Sequence, residues 1–379
     1  MIDLTSVIRP GDGIIWGQAC AEPQTLVEAL VAQRERLGGV GLFLGSSYSG
    51  TVAPEHADHL RLSSYCATGA NRALAAAGVL DILPAPYSQL DFLIRNRFIK
   101  CDVLMLQVSP PNAAGEYGFG LAVEYLAAAF AVARAVVAEV NDQVPWVRTE
   151  PLLRRDDFDL VIESSRPPVV LPPGKSGPLE KAIAQHAAGL VPDGATIETG
   201  IGALPNAVLS ALRGRNGLRM HTGAVLDGAA DLQLDSCVGG VLMGSQRLLD
   251  WAIDRAALRL VSSVDTHGAA ALSRLERFVA INAAVEVDLT GQVNGEAAGG
   301  AYVGAVGGAL DFVRAANQSP GGVSITVVPA SRIVATLSGP VSVPRGEAGV
   351  IVSERGAADL RGCTLREREK RLRAISGSS

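Results

Sequence analysis

Apolar strand-like runs alternate with helical runs along the chain, and loops rich in glycine or proline separate them. Val40–Leu44 and Cys101–Val108 have the composition of buried strands, while Pro23–Arg36 has apolar residues at helical spacing. Repeated strand–loop–helix units bring successive strands side by side in a parallel sheet that is covered by helices. The pattern therefore predicts an α/β fold built on open parallel sheets.

One segment interrupts this alternation. Ser164–Gly177 contains four prolines and two glycines in fourteen residues, and neither a helix nor a central strand can continue through it. A helix at Pro178–Ala188 and a strand at Ala195–Thr199 then begin a second α/β series. Because 379 residues are enough for two domains, we expect an N-terminal domain over 1–170 and a C-terminal domain over 175–379.

Composition excludes several classes of protein. Hydrophobic residues make up 48% of the chain, which supplies a sizeable core, and the net charge of −5 argues against a nucleic-acid-binding protein. The longest apolar run, Leu121–Val140, contains charged residues, Glu124 among them, and predicts a buried helix rather than a membrane span. The five cysteines form no C-x-x-C pair, and the N-terminus lacks the pattern of a signal peptide. We expect a cytoplasmic protein without disulfides.

Metal and serine-hydrolase chemistry are both disfavoured. Glu55–His59 holds two histidines three residues apart, but without further ligands nearby the pattern favours a solvated helix end, and we expect no metal. Ser109, Ser164 and Ser353 lie in no G-x-S-x-G elbow, the motif that presents the nucleophile in many serine hydrolases.

A first glycine loop, Gly200-Ile-Gly-Ala-Leu-Pro-Asn206, runs from the predicted strand into a helix predicted over Ala207–Arg213. Unpaired backbone N–H groups at the start of a helix can bind an anion. Pro205 stands where a dinucleotide-binding loop has its third glycine, so a Rossmann interpretation is weak. From the residues alone, an anion-binding loop and a plain tight turn are equally supported.

A second glycine loop, Gly299–Phe312, has five glycines within its first ten residues. That density predicts close approach of the backbone either to a ligand or to another strand. Asp311 and Phe312 are predicted to open a helix. Between the two loops, His221 follows the strand-like Leu218–Met220, where a histidine either lines a site or has a structural role.

Six segments, taken in order, match the pattern of one protein family. Ile281–Glu296 reads I-N-A-A-V-E-V-D-L-T-G-Q-V-N-G-E, close to the family's I-N-S-A-x-E-V-D-L-x-G-Q-V-N-x-E. The chain thereby resembles the acetyl-CoA hydrolase/transferase family, the single-chain class I CoA-transferases of the 4-hydroxybutyrate/acetate CoA-transferase type. The matching segments are Val108–Gly120, Ala138–Pro145, Gly200–Pro205, Ile281–Glu296, Val303–Phe312 and Val352–Gly362.

The resemblance implies two open parallel-sheet α/β domains with a CoA thioester bound between them. It also implies an acyl-CoA substrate, a small acceptor acid, no permanently bound cofactor, and a homodimer or higher oligomer. In this family a glutamate attacks the thioester carbonyl, and a glutamyl anhydride and a glutamyl-CoA thioester form in turn. Backbone donors stabilise the tetrahedral oxyanion. The residues suited to that role, or to binding CoA, are Gly200, Ile201, Gly202, Val306, Gly307 and Gly308.

The chain departs from the family where the nucleophile lies. The family segment H-[ST]-E-x-x-x-D-G reads His221-Thr-Gly-Ala-Val-Leu-Asp-Gly228 here, so Gly223 occupies the glutamate position. No glutamate occurs between Glu198 and Glu276 that a shifted alignment could supply. Transfer through a glutamyl-CoA thioester is therefore not expected.

Three interpretations follow from that departure. In the first, the enzyme acts on an acyl-CoA thioester by hydrolysis, direct acyl transfer or C–C chemistry, and a general base is needed. In the second, the chain is a non-catalytic acyl-CoA binder or a partner subunit. In the third, it is a conventional CoA-transferase in which another carboxylate, Glu296, replaces the missing one. The candidate catalytic residues are His221, Asp227, Glu296 and Glu116.

Overall fold

The structure is a computed structural model that describes residues 2–172, 174, 176–253 and 255–377. The α-helices are α1 (Gln24–Gln33), α2 (Asn71–Ala76), α3 (Leu90–Arg95), α4 (Leu126–Val132), α5 (Pro178–Ala188), α6 (Ala203–Ala211), α7 (Gln246–Ala252), α8 (Ser263–His267), α9 (Ala269–Leu272), α10 (Ala309–Gln318) and α11 (Leu365–Ile375). The strands are β1 (Gly13–Trp16), β2 (Gly41–Leu44), β3 (Arg61–Ser64), β4 (Leu80–Ile82), β5 (Val103–Val108), β6 (Ala135–Asn141), β7 (Leu160–Ser164), β8 (Thr196–Thr199), β9 (Leu218–His221), β10 (Ala224–Val225), β11 (Leu234–Gly239), β12 (Val241–Leu242), β13 (Leu258–Leu260), β14 (Phe278–Ala283), β15 (Glu286–Asp288), β16 (Val293–Asn294), β17 (Ala297–Ala298), β18 (Ala301–Tyr302), β19 (Val323–Val327), β20 (Ile333–Val334), β21 (Val350–Ser353) and β22 (Gly356–Asp359).

The chain folds into two compact units. Unit 1 comprises residues up to 172 together with 239–265, and unit 2 comprises residues from 173 to 238 together with 266 onwards. Residues 239–265, which the sequence-based division assigned to the C-terminal domain, therefore pack within unit 1. The first change of unit falls inside the proline-rich Ser164–Gly177 segment, in which Pro173 and Lys175 lie outside the described residues.

Unit 1 contains a parallel sheet with the strand order β4-β3-β2-β1-β5-β6-β7. All six residues of β5 are buried, because a central strand of a covered parallel sheet packs on both faces and needs apolar side chains on each. Leu26 and Leu30 of α1 pack into the core with Ile14 and Leu42 of the sheet. The helical periodicity of α1 thus predicted its buried face correctly.

Within unit 2 the main sheet has the order β11-β9-β8-β14-β19-β21-β22, and only its β21–β22 pair is antiparallel among the described strands. A smaller sheet has the order β16-β15-β20. The predicted fold class, α/β with open parallel sheets, is confirmed. Helix α5 has its predicted bounds, since Pro178 starts it and the Glu180 carboxylate accepts a hydrogen bond from Gly177 N at 2.8 Å.

Two predictions about helices were wrong. Leu121–Val140 is not one helix, because only Leu126–Val132 is helical and a strand begins at Ala135. Helix α6 begins at Ala203 rather than Ala207, with Pro205 in its first turn. Proline is tolerated there because the first N–H groups of a helix have no partner inside it. Over the described residues, no helix is long and apolar enough to cross a membrane.

Candidate functional site

The first glycine loop is short and lies at the carboxyl end of β8. Gly200 N donates a hydrogen bond to Ile281 O of the neighbouring strand at 2.9 Å. A Cβ on Gly200 would lie 2.5 Å from the Asn282 side chain, so only glycine lets the backbone pass. Gly202 has φ +135°, and Ile201 is 46% exposed. The loop therefore combines close backbone packing on one side with an exposed tip at the start of α6.

A glutamate that the sequence analysis did not single out lies beside this loop. Glu198 on β8 is buried, and Asn282 Nδ2 donates a hydrogen bond to its Oε2 at 2.8 Å. Burial raises the pKa of Glu198 to about 8, against the opposing effect of the hydrogen bonds from Asn282 and the Ile281 backbone. The carboxyl group is therefore mainly protonated at neutral pH.

Residues 221–223 follow the neighbouring strand. His221, the last residue of β9, is buried, and its Nε2 donates a hydrogen bond to Thr266 O at 2.9 Å. Since a carbonyl oxygen can only accept, this bond fixes the proton on Nε2. Thr222 is buried, and its hydroxyl donates to Thr199 O at 3.2 Å. These two side chains hold the backbone at Gly223 in place.

The imidazole of His267 lies between the two glycine segments of unit 2. Its Cε1 and Nε2 are 2.9 and 3.0 Å from the position that a Cβ on Gly223 would take. The same Nε2 is 2.5 Å from the position of a Cβ on Gly308. The ring packs against Phe312 with centroids 4.6 Å apart. Glycine at 223 and at 308 is therefore what gives this imidazole its room.

His267 is one of only five histidines in the chain, and it is buried. Its Nδ1 and the Thr266 hydroxyl are 2.8 Å apart. Burial, with a smaller contribution from the charge of His221, lowers the pKa of His267 to about 3, so the ring is neutral at physiological pH. His267 lies in no recognisable motif, and the scarcity of histidines was the one available signal.

The second glycine loop divides into two parts. Gly299 and Gly300, with φ +58° and +81°, form the turn of the β17–β18 hairpin. Two positive-φ glycines are what a tight two-residue hairpin turn needs. Val306, Gly307 and Gly308 lead into α10, which begins at Ala309 and not at the predicted Asp311. Only this second part, through Gly308, meets His267.

The other predicted residues have separate surroundings. The carboxylate of Glu296 is buried and accepts hydrogen bonds from the hydroxyls of Ser342 at 2.7 Å and Tyr302 at 3.0 Å. Asp227 is half-buried and opens a short 3-10 turn. Glu116 belongs to unit 1, where Asn112 Nδ2 donates to its Oε2 at 3.2 Å. The structure brings His221, Gly223 and Gly308 together around Thr266 and His267.

Unit 1 holds a second buried glutamate that the sequence analysis noted only as a charge. Gln18 Nε2 donates a hydrogen bond to Glu124 Oε2 at 2.9 Å, and the Tyr87 hydroxyl donates to the same oxygen. Tyr65 donates in turn to Gln18 Oε1 at 2.8 Å. Burial raises the pKa of Glu124 to about 7, against these hydrogen bonds. Gln18 and Tyr65 follow β1 and β3, so this cluster lies at the carboxyl edge of the sheet of unit 1.

A cavity of about 410 Å³ also lies in unit 1. It is lined where β1, β2 and β3 begin, at Gly13, Gly41 and Arg61, and contains none of the predicted site residues. Open parallel sheets bind their ligands at the carboxyl ends of the strands, so this cavity is not the candidate site. Among the residues that the structure describes, no group of three or more metal-ligating side chains is found.

Comparison with protein families gives two matches. The acetyl-CoA hydrolase/transferase N-terminal domain matches residues 2–171, and the C-terminal domain of the same family matches residues 244–379. The 4-hydroxybutyrate coenzyme A transferase of Clostridium kluyveri is 31% identical over 97% of this chain and 91% of its own. An acetyl-CoA hydrolase of Saccharomyces cerevisiae is 27% identical over 56% of this chain and 45% of its own.

Solved structures are similar over nearly the whole chain. RipA from Yersinia pestis superposes with a TM-score of 0.92 at 29% identity, covering 98% of this chain and 92% of its own. A 4-hydroxybutyrate CoA-transferase from Porphyromonas gingivalis superposes with a TM-score of 0.81 at 30% identity, with the same coverage. Similar proteins thus include CoA-transferases and acetyl-CoA hydrolases.

Proposed function

Because the chain belongs to the acetyl-CoA hydrolase/transferase family, we propose that it hydrolyses an acyl-CoA thioester by direct attack of water. The family recognition made from the sequence is confirmed, and the chain is an enzyme of this CoA-transferase and hydrolase family. In the proposed reaction no glutamyl-CoA intermediate forms. The acyl-CoA is the substrate, and no permanently bound cofactor takes part.

The surroundings of Gly223 carry the proposal. The resemblance puts the nucleophilic glutamate of the family at this position, and glycine has no side chain that could attack a carbonyl. The His267 ring lies 2.9 Å from where a side chain at 223 would begin. The space needed by a glutamate is therefore filled by an imidazole, which argues for a different nucleophile.

The neighbouring carboxyl groups support water over a substitute carboxylate. Glu198 is buried, protonated at neutral pH and bound by Asn282, and a protonated carboxyl group is a poor nucleophile. Glu296 accepts hydrogen bonds from two hydroxyls, those of Ser342 and Tyr302. Donors that stabilise the charge of a carboxylate also reduce its tendency to attack a carbonyl carbon.

The glycine segments supply what the tetrahedral intermediate needs. When water adds to the thioester carbonyl, the carbonyl oxygen becomes an oxyanion that backbone N–H groups can stabilise. Gly200 N already donates to Ile281 O, so the first loop can offer only the N–H groups of Ile201 and Gly202, which lead into α6. Val306–Gly308 leads into α10, and both helices have at least nine residues. The N-terminal end of a helix favours negative charge. Collapse of the intermediate then breaks the C–S bond and yields a carboxylic acid and the CoA thiol.

The proposal is tested with a panel of acyl-CoAs of increasing chain length, each incubated with the protein with and without acetate. Free thiol is followed with a chromogenic reagent, and products and intact protein are analysed by mass spectrometry. We expect CoA release that does not require acetate, together with unmodified protein. A glutamyl-CoA adduct, or release that depends strictly on acetate, would instead support a transferase with a substitute carboxylate.

A third result has its own meaning. Acyl-CoA that binds tightly in equilibrium dialysis but stays intact would identify a non-catalytic binder and contradict hydrolysis. The panel must therefore include binding measurements for every acyl-CoA that is not cleaved.

A further inference from the structure

The cavity of unit 1 is in the other unit from the glycine loops of the candidate site. Its volume is about 410 Å³, and it is lined where β1, β2 and β3 begin. Small-molecule sites have volumes of about 300–1,000 Å³. Because open parallel sheets bind their substrates at the carboxyl ends of the strands, a molecule bound in this cavity would be a second ligand and not the acyl-CoA.

A glycine in β2 leaves room in this cavity. Gly41 lines it and is paired in register with Gly13 of β1 and Arg61 of β3. The nearest atom to a Cβ on Gly41 would be Arg61 Nη2 at 3.6 Å, an ordinary contact, and the φ of Gly41 is outside the left-handed region. Neither crowding nor backbone conformation therefore requires glycine here, although glycine weakens a strand. The missing side chain provides open space beside the Arg61 guanidinium.

Two of the four charged side chains that line the cavity are already paired within the protein. Lys100 Nζ lies 3.1 Å from Asp102 Oδ2. Asp12 Oδ2 lies 2.7 Å from Arg134 Nη2. The charges of Lys100 and Asp12 are therefore balanced before any ligand binds.

The other two, Arg61 and Asp81, are exposed, and neither forms an ion pair with a residue that the structure describes. Arg61 Nη1 donates a hydrogen bond to Gly39 O at 2.6 Å. This bond anchors the guanidinium beside Gly41 and leaves its Nε and Nη2 groups for a ligand. Asp81 of β4 is paired in register with Ser63, two residues after Arg61, so the two opposite charges lie on the same face of the sheet.

Apolar side chains form another part of the lining. Phe43 and Leu83 face the cavity together with Phe98. Phe98 is 72% exposed and stacks on Phe92, which is 58% exposed, with ring centroids 6.1 Å apart. An exposed aromatic ring is stabilised when an apolar group covers it. The cavity therefore presents one free cation, one free anion and an apolar surface among its described residues.

We propose that this cavity binds a free amino acid with an apolar side chain. The carboxylate of the amino acid accepts hydrogen bonds from Arg61, its ammonium group pairs with Asp81, and its side chain packs on Phe43, Leu83 and Phe98. The four lining charges sum to zero, so electrostatic complementarity favours a zwitterion over a polyanion such as a nucleotide.

Isothermal titration calorimetry with a panel of apolar amino acids, including L-leucine and L-phenylalanine, tests the proposal independently of the acyl-CoA reaction. The analogues 4-methylpentanoic acid and 3-phenylpropanoic acid lack only the ammonium group, and isopentylamine and phenethylamine lack only the carboxylate. We expect at least one amino acid to bind. Its two analogues should each bind roughly tenfold more weakly or worse, because each leaves one charge unpaired.

Three variants locate the site. Gly41→Leu should abolish binding, because its side chain fills the space beside the guanidinium while its Cβ is not crowded. Arg61→Gln and Asp81→Asn should each weaken binding by roughly tenfold or more. The controls Arg72→Gln and Asp156→Asn change exposed residues outside the cavity lining and should bind as the native protein does. Thermal unfolding establishes that each variant is folded.

Three outcomes would overturn the proposal. No binding of any amino acid at millimolar concentration, by calorimetry or by a shift of the melting temperature, would show that the cavity does not take this class of ligand. Equal binding of an amino acid and its deaminated analogue would show that Asp81 does not recognise an ammonium group. Binding that is unchanged in a folded Gly41→Leu variant would place the ligand elsewhere.

Discussion

Glu124 in unit 1 and Glu198 in unit 2 are both buried near the carboxyl edge of a parallel sheet, but the surroundings of the two differ. In unit 1, Glu124 is enclosed by the side chains of Gln18 and Tyr87. In unit 2, Glu198 has one side-chain partner, Asn282, and the loop beside it consists of glycines and an exposed Ile201. One edge is filled by large polar side chains, while the other leaves backbone accessible.

The difference teaches where chemistry can take place. Hydroxyl and amide side chains that satisfy one another rigidify a site, and the cluster around Glu124 has this character. Glycines do the reverse, because they expose backbone donors and leave room for a ligand. Unit 2 has glycines of this kind at the exposed loop before α6, while the imidazole of His267 occupies the room at Gly223 and Gly308. The reacting groups are therefore expected in unit 2.

The largest expected effect on stability comes from Glu198→Gln. Between pH 4.5 and 8 the folded state keeps a proton on Glu198 that the unfolded state releases, so the free energy of unfolding falls as pH rises. The full shift corresponds to about 5 kcal/mol at 1.36 kcal/mol per pKa unit. Glutamine cannot ionise, so the variant should lose this pH dependence. Urea unfolding followed by circular dichroism at pH 5 and pH 8 measures it, and an unchanged pH dependence would contradict the prediction.

Glu124→Gln is the matched change in unit 1, with a smaller effect. Its pKa is also raised, to about 7, so the free energy of unfolding falls between pH 4.5 and 7, by about 3 kcal/mol. All three tryptophans, Trp16, Trp146 and Trp251, lie in unit 1. Tryptophan fluorescence therefore reports the unfolding of this unit directly. A fluorescence transition as pH-dependent in the variant as in the native protein would show that Glu124 is not the responsible group.

Gly223→Glu tests whether the imidazole excludes a glutamate. The new side chain would begin 2.9 Å from the His267 ring, and overpacking of this kind costs about 1–3 kcal/mol. We expect the single variant to be less stable and to gain no acetate-dependent CoA transfer. The double variant Gly223→Glu, His267→Ala should recover stability and acquire some transfer activity. Transfer by the single variant at the level of the double would show that the ring does not block position 223.

Gly308→Ala gives the smallest of these effects, and Gly346→Ala is its control. A methyl group at 308 would lie 2.5 Å from His267 Nε2, while a methyl group at 346 meets nothing within 4 Å. We expect Gly308→Ala to cost about 1–2 kcal/mol and to slow thiol release, because the methyl group displaces the His267 ring that lies against Gly223. Gly346→Ala should match the native protein in both measurements. Equal rates for the two variants would show that the contact between Gly308 and the His267 ring does not affect the reaction.

Local patterns predicted much of the scaffold. The bounds of α5, Pro178–Ala188, were predicted correctly, and a proline stands at its first position. The start of α6 was placed at Ala207 rather than Ala203, because the glycine loop was extended through Asn206, although a proline in the first turn is compatible with a helix. Signals that depend on neighbours in sequence were therefore mostly reliable, apart from helix ends.

The candidate site was less accessible from the sequence. The motif at His221–Gly228 drew attention to Gly223, but His267 has no motif and lies far from 223 and 308 along the chain. Its contact with both glycines exists only after β9, α8 and α10 have come together within the fold. Gly299 and Gly300 are a contrasting case. Their pattern allowed either a ligand loop or close backbone packing, and in the structure they form a hairpin turn. A missing side chain can be counted in a sequence, but the group that fills its space cannot be identified there.

The central claim is that water, not a protein carboxylate, attacks the thioester carbon. It is tested most directly by a single turnover with enzyme in excess over acyl-CoA in oxygen-18-labelled water, followed by mass spectrometry of the released acid. Direct attack predicts that each acid molecule carries one labelled oxygen. In the glutamyl route the acid takes its new oxygen from the protein carboxylate, so an unlabelled acid in the first turnover would contradict the account.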